Sequence, residues 1–214
     1  NMEIKNIDNK SFFGAKLISR TQISQQIPFT PFYKKFNVDF VELKSQEDIE
    51  ILKAFIAQDK QNFFGSNLLE SIENNKHIKT YKIFALTSQI ENLKNLKPEK
   101  IIGLYDGFYT WKSKEGKTFF ITHFETKSKN NKYRKIESKT ISLLGLKIKV
   151  PIKQKGLGKA ILSEFIKHNY KKIKSIQLQS SPLACSFYRK LGFINNIKDP
   201  EYFQLPQKSF SKLI

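Results

Sequence analysis

The sequence predicts an α/β (α+β) fold, a mixed and mostly antiparallel central sheet flanked by helices. Three observations lead there. Segments of alternating apolar and polar residues recur from 81 onward with no long helical pattern between them, so they should pair as an antiparallel meander. The run Leu146-Lys-Ile-Lys-Val150 then passes through Gly156-Leu-Gly158 into the helical pattern Ile161, Leu162, Phe165, Ile166. A second strand and helix, Lys174–Gln179 and Pro182–Leu191, repeat that order near the end of the chain.

At 214 residues, with 39% hydrophobic residues and 19 phenylalanines, the chain can bury a sizeable core in one elaborated domain. No apolar run is long enough to span a membrane, and nothing near the start has the pattern of a signal peptide. Met2 reads as the natural first residue. A single cysteine, Cys185, excludes an internal disulfide and fits a reducing, cytoplasmic compartment. His77, His123 and His168 are scattered, and with one cysteine they make no recognisable metal site.

The formal net charge is +19, from 38 basic and 19 acidic residues. Only Arg20, Arg134 and Arg189 are arginines, the residue best suited to bidentate contacts with phosphates and bases. Lysine, asparagine and isoleucine are used heavily, so the charge reads first as a codon bias and only secondarily as attraction for anions. Its placement is uneven. From Asp39 to Glu73 eight carboxylates stand against three lysines, and from Leu144 to Lys174 nine lysines stand against Glu164 alone. An anion site suits the second stretch and a cationic partner the first.

Residues 1–37 are read as an N-terminal extension packed on a domain at 38–214. Pro28 and Pro31 interrupt the extension, and Ser11–Ile18 is open between strand and short helix. Val38–Leu43 alternates as a strand. Ser45, three residues before Asp48, opens a helix over Ile49, Leu52, Phe55 and Ile56. Ser66 opens a second through Leu68, Leu69 and Ile72. Tyr81–Thr87, Ile101–Trp111 and Thr118–Glu125 are strands, the last two joined by a hairpin turn containing Gly116. Lys127–Lys139 is a charged loop, and Ile141–Val150 is the next strand. The helix after Gly156 should bury Leu157, Ile161, Leu162, Phe165 and Ile166 and expose Lys159, Ser163, Glu164, Lys167 and Lys171. After the strand Lys174–Gln179, Ser181-Pro182 supplies the N-cap and first residue of a helix that Gly192 stops. Phe193–Asn196 and Tyr202–Leu205 close the chain as short strands.

The turn at Gly156 and Gly158 carries the chemistry. A glycine turn entering a helix leaves backbone N–H groups aimed at one point, with the positive end of the helix dipole behind them. That is a seat for a phosphate or pyrophosphate. It is not a dinucleotide fingerprint, since Ile161 stands at the third glycine, nor a Gly-Lys-Ser/Thr phosphate loop, since Ala160 follows Lys159. Alone, it could equally be a helix cap with no ligand. Downstream, however, stand Ala184, Tyr188, Gly192 and Phe193. Together the two motifs resemble the GNAT superfamily of N-acetyltransferases. In that family an Arg/Gln-x-x-Gly-x-Gly/Ala turn follows the fourth strand, and an Asn-x-x-Ala-x-x-x-Tyr-x-x-x-Gly-Phe segment follows the fifth. Gly156 and Gly158 match the first; Ala184, Tyr188, Gly192 and Phe193 match the second. Lys153 fills the Arg/Gln slot and Ser181 the Asn slot.

The resemblance implies acetyl-CoA as cosubstrate, held between splayed fourth and fifth strands, and no metal. Leu146, Lys147 and Ile148 would pair through their backbone with the pantetheine arm, and the Ile148 N–H would face the thioester oxygen. Lys153, Gln154, Lys155, Gly156, Leu157, Gly158 and Lys159 would hold the pyrophosphate. Ser181, Ala184 and Tyr188 would complete the site, with Tyr188 protonating the leaving thiolate. The strand glutamate that some members use as base falls at Ser142, so the base is not carried over. Glu125 is taken as the catalytic candidate, with His123 beside it, because both sit on a central strand and point the same way. Cys185 could carry an acetyl group but reads as a buried small helix residue. In the family the first two helices wall the acceptor site, and here they lie in the acidic stretch.

The expected function is therefore transfer of an acetyl group from acetyl-CoA to a primary amine, of a cationic small molecule or a protein, by a monomer or homodimer. One alternative is a non-catalytic acyl-CoA-binding sensor or scaffold of the same fold. Another is a basic nucleic-acid binder, which the scarcity of arginine disfavours.

Overall fold

The computed structural model describes residues 15–26, 33–44, 46–58, 65–75, 77–91, 96–112, 116–126, 138–143, 146–151 and 156–214. Eight strands form one sheet. Their order across it is β1 (Lys16–Gln26), β2 (Tyr33–Leu43), β3 (Tyr81–Ser88), β4 (Ile101–Lys112), β5 (Gly116–Thr126), β8 (Ser175–Gln179), β10 (Tyr202–Pro206) and β9 (Ile194–Asn195). The described pairings are antiparallel except that of β5 with β8. The sheet is thus mixed and mostly antiparallel, as predicted, and its meander runs from β1 through β5.

Two helices cover each face. Alternation along the strands decides which side chain goes where. Val38, Phe40, Phe84, Leu86 and Tyr105 pack with α3 (Leu157–Asn169) and with Tyr188 of α4 (Cys185–Lys190). Val41, Leu43, Ile83, Ala85 and Leu104 pack with α1 (Gln46–Gln58) and α2 (Gly65–Asn75). Phe84, Tyr105, Phe119 and Phe165 form the centre of the first layer, with ring centroids 4.7–6.1 Å apart.

Several expectations change. Ile141–Val150 is not one strand of the meander. It divides into β6 (Ser138–Leu143) and β7 (Leu146–Pro151), a separate two-stranded sheet with Leu143 opposite Leu146. Alternation specifies a strand but not its partner, and a hairpin closes with a shorter loop than any pairing to the main sheet. Most of the predicted Lys127–Lys139 loop lies outside the described residues, but Ser138 and Lys139 already belong to β6. The last helix begins at Cys185 rather than Pro182. The Ala184 N–H bonds back to the Ser181 carbonyl at 3.0 Å, so a turn precedes the helix and Ala184 takes the N-cap. Ser45 lies outside the described residues, but the Asp48 half of the expected cap is present: its Oδ2 accepts the Lys44 N–H at 2.9 Å.

Glu164, expected on the polar face of α3, is buried. The Ser19 hydroxyl of β1 donates to its Oε2 at 3.1 Å and Lys167 to its Oε1 at 2.7 Å. The cause is the N-terminal segment. Its described part forms β1, which adds a strand to the sheet along β2 and lies against α3.

One ion pair fastens that strand. Arg20 Nε donates to Asp39 Oδ1 at 2.8 Å and Nη2 to Oδ2 at 3.2 Å, while Nη2 also reaches the Ile90 carbonyl at 3.1 Å. The Ile90 N–H returns a bond to Asp39 Oδ2 at 2.9 Å. Asp39 is fully buried and Arg20 half exposed. Removing the carboxylate strands the Ile90 donor and frees β1 from the sheet edge. Asp39→Ala is expected to lower unfolding free energy by about 2–4 kcal/mol in urea titration; a loss of a few tenths would show that the pair merely decorates the edge.

Candidate functional site

The site is built where β5 leaves β8. Their parallel register runs from Thr118 opposite Ser175 to Ile121 opposite Leu178 and ends there. β5 continues to Thr126, whereas β8 stops at Gln179 and the chain turns toward α4. The edge of β5 beyond Ile121 therefore has backbone groups that β8 does not meet. A crevice at the carboxyl ends of parallel strands, where the connection order switches, is where open α/β sheets hold ligands.

At the same point the register against β4 slips. Asp106 faces His123, but Gly107 faces Ile121, so Thr122 is an extra residue in β5. The bulge reverses the alternation. Phe119 and Ile121 face α3, and after the slip Phe124 returns to that side, its ring 6.1 Å from both Tyr105 and Phe187. His123 turns instead to the face of α1 and α2. Near the bulge the Thr122 and Tyr105 hydroxyls are buried with no hydrogen-bond partner among the described residues.

The start of α3 adjoins this crevice. Gly156 takes the N-cap with φ 88°, a left-handed conformation that favours glycine, and no side chain caps the helix. The Ala160 N–H bonds the Gly156 carbonyl at 3.0 Å, so the N–H groups before it have no partner within the helix. No acidic residue stands in the first turn to compete for them. At Gly158 a Cβ would lie 2.6 Å from Phe187 Cζ and 3.3 Å from Phe124 Cε1. Glycine thus lets the helix start press against α4 and the end of β5.

Of the residues expected to hold a cofactor, Gly156, Leu157, Gly158 and Lys159 are brought to this place, with Leu157 buried and Lys159 exposed. Ala184 and Ser181 lie half-buried at the entry to α4. Lys153, Gln154 and Lys155 lie outside the described residues. Leu146, Lys147 and Ile148 are on β7, paired with β6; the strand that parts from β8 is β5. Ser142 sits in the same hairpin, opposite Lys147.

Tyr188 is 6% exposed. Its ring centroid lies 5.0 Å from that of Phe187, 5.4 Å from Phe193, 6.0 Å from Phe203 and 6.5 Å from Phe124. Rings from α4 itself, the turn after it, β10 and β5 hold it beside the end of β5.

On the opposite face lies a polar cluster that sequence reasoning did not find. Asp106 is fully buried, and Tyr81 donates its hydroxyl to Oδ2. Ser71 of α2 approaches the same oxygen at 3.5 Å, and His123 Nδ1 stands 3.3 Å from Oδ1. Burial pushes the Tyr81 phenol far up, and the Asp106 charge adds to this, so Tyr81 remains a donor. Glu125 is two residues farther along β5, opposite Leu104. The pairing of Asp106 with His123 depends on the bulge, and periodicity carries no signal for it.

The acidic stretch is largely engaged. Besides Asp39 and Asp48, Glu42 pairs with Lys82 at 3.1 Å and Lys44 at 3.6 Å, while Lys53 bridges Glu50 at 2.7 Å and Glu73 at 3.6 Å.

No family model and no curated protein matches the chain. Solved structures do. A GNAT-family protein from Desulfovibrio desulfuricans, assigned as an acetyltransferase, is 13% identical, with 79% of this chain and 99% of that one covered and a TM-score of 0.50. AtaTR bound with acetyl-CoA is 15% identical, with 81% and 96% covered and a TM-score of 0.49. The spermidine N-acetyltransferase of Vibrio cholerae, in complex with CoA and spermine, is 12% identical, with 81% and 98% covered and a TM-score of 0.46. At such identities the likeness is one of fold. The chain has a GNAT-like fold: a mixed, mostly antiparallel sheet flanked by helices.

The two glycines should fail for different reasons. At Gly156 a Cβ meets nothing nearer than the Ser24 carbonyl oxygen at 3.7 Å, so Gly156→Ala carries only the left-handed backbone penalty, about 1–2 kcal/mol. Gly158→Val must displace Phe187 and is expected to cost about 1–3 kcal/mol through overpacking. Urea midpoints check both; a valine accepted at 158 without loss would contradict the close packing of α3 on α4.

Proposed function

We propose that the protein is an acyl-CoA-dependent N-acetyltransferase that moves the acetyl group of acetyl-CoA to a primary amine. The observation that carries this reading is the parting of β5 from β8 beside an uncapped glycine helix start, with Tyr188 held next to both. An extended pantetheine arm can add to β5 beyond Ile121, where β8 no longer pairs with it, as a short strand would. Its pyrophosphate then falls at the N–H groups around Gly156, Leu157, Gly158 and Lys159, with Lys153, Gln154 and Lys155 leading into them. The fit is chemical as well as spatial. The seat has donors and no carboxylate, and the unpaired Thr122 and Tyr105 hydroxyls mark where a polar partner is wanted.

Tyr188 protonates the departing sulfur. A phenol suits a thiolate because their ordinary pKa values, about 10 and about 8.5, are close. The acceptor enters from the opposite face, between α1, α2 and the end of β5, where Glu125 and His123 sit. We assign it as a primary amine of a cationic small molecule or of a protein.

Calorimetry with acetyl-CoA and a transfer assay over cationic, neutral and acidic amines test the reading. Tyr188→Phe is expected to lower kcat by about 10²-fold, with the acetyl-CoA Kd changed by less than about threefold. A protein that binds acetyl-CoA but transfers to no amine would be a sensor of the same fold. One that binds no acetyl-CoA would exclude both.

A further inference from the structure

We propose that His123 is the general base of this transfer, its Nδ1 held toward buried Asp106 and its Nε2 presented to the acceptor amine. The inference rests on the acetyltransferase reading above and supplies the base that the sequence left unassigned.

Three observations carry it. The first is position. The Thr122 bulge places Phe124 on the α3 face and His123 on the other, directly where β5 has left β8. A thioester in the crevice would meet an amine from the α1 and α2 side at this residue. The second is the state of Asp106. A fully buried carboxylate is costly to desolvate unless its oxygens are satisfied. Tyr81 serves Oδ2, but Oδ1 has no hydrogen bond among the described residues, and His123 Nδ1 is likewise unbonded at 3.3 Å from it. Each is the other's nearest partner, and a small rotation of the ring aligns them. The third is exposure. The His123 side chain is 24% exposed, so the ring reaches from the buried carboxylate to open space.

An ionised Asp106 accepts from Nδ1–H, which fixes the tautomer and leaves the Nε2 lone pair outward. Among the described residues, the titratable groups recorded around the ring are Asp106 on β4 and, bonded to it, Tyr81 on β3. Tyr81 donates to Asp106 and so is no competing base. Asp106 is a positioning residue, since it acts through the imidazole.

The step balances as follows. Nε2 takes one proton from the acceptor ammonium and later passes it to solvent. The freed nitrogen pair attacks the thioester carbon and the C–N bond forms. The C–S bond then breaks with its electron pair on sulfur. The second nitrogen proton reaches that sulfur by way of Tyr188, so amide and CoA thiol leave with one proton released.

A purely structural cluster, tying α2 to the sheet through Ser71, is the competing explanation, and the experiment separates the two. Nitrogen-15 NMR of the imidazoles, with His123 assigned by comparison with His123→Gln, reads which ring nitrogen carries the proton, whether or not a substrate is known. The proton is expected on Nδ1, and Asp106→Asn should move population toward Nε2–H. A dominant Nε2–H tautomer in the wild type, or one indifferent to Asp106→Asn, overturns the proposal. In the transfer assay His123→Gln should lower kcat/KM by about 10²–10³-fold, abolish the acid limb of its pH profile and leave acetyl-CoA binding intact. Asp106→Asn should lower kcat at unchanged acetyl-CoA Kd, with partial recovery in Asp106→Glu. If Asp106→Asn does not fold, Tyr81→Phe, which leaves the carboxylate in place, tests the same support. Full activity and an unchanged acid limb in His123→Gln also overturn the proposal. Failure of the wild type to bind acetyl-CoA would instead sink the acetyltransferase reading, and the tautomer would still decide the His123–Asp106 pairing.

Discussion

The register break at Thr122 is the constraint on which the rest of this structure turns. β5 pairs with two strands at once, antiparallel to β4 and parallel to β8. It cannot leave β8 after Ile121 and also keep a regular ladder on β4 without bending. The extra residue provides that bend, since a bulge kinks its strand and raises the local twist. It also reassigns faces. A strand alternates with period two, so one inserted residue sends every later side chain to the other side of the sheet. Phe124 therefore anchors the α3 and α4 layer, while His123 serves the α1 and α2 layer. One backbone irregularity thus decides which side chains of β5 meet α3 and α4 and which meet α1 and α2.

That break would be hard to hold open in a soft core. Here it lies beside a cluster of packed aromatic rings. Phe84, Tyr105, Phe119 and Phe165 are mutually packed, and Phe124 continues the set to Phe187 and Tyr188. Aromatic pairs of this kind add about 0.5–1.5 kcal/mol each beyond the area they bury. Their rings also have few rotamers, so the cage around Tyr188 fixes its direction at small entropic cost. The glycine at 158 belongs to the same packing. It lets the start of α3 approach Phe187 more closely than any side chain would permit, and this brings the helix start next to the end of β5.

Features set by local chemistry were legible in the sequence. The strands from Tyr81 to Glu125, the two glycines, the long helix after them and the Ala184 to Phe193 segment all announce themselves through period or spacing. What was not legible depends on partners far away in the chain. Glu164 looks like a surface residue because its helix neighbours cannot reveal that Ser19 of β1 will cover it. Ile141–Val150 reads as one strand because alternation has no memory of partner, and the structure folds it on itself. Asp106 gave no sign at all. It sits in a strand between Tyr105 and Gly107, and its role follows only from a register slip that brings His123 opposite and from Tyr81 one strand away.

Charge shows the same limit in a different form. Counted along the chain, the segment from Asp39 to Glu73 is an acidic field that would attract a cationic acceptor. In three dimensions Arg20, Lys44, Lys53 and Lys82 pair with four of its carboxylates, Asp39, Glu42, Glu50 and Glu73, and Asp48 accepts the Lys44 backbone N–H. A diffuse surface field of that kind would in any case be screened within about 8–10 Å at ordinary salt. The carboxylate that meets the His123 ring, Asp106, is fully buried, where salt screens it little. Its reach is short and directional, acting on whatever meets the His123 ring. Charge on this face therefore acts less through the net charge of the helices than through a single buried carboxylate behind the His123 ring, and the bulge sets that carboxylate opposite His123.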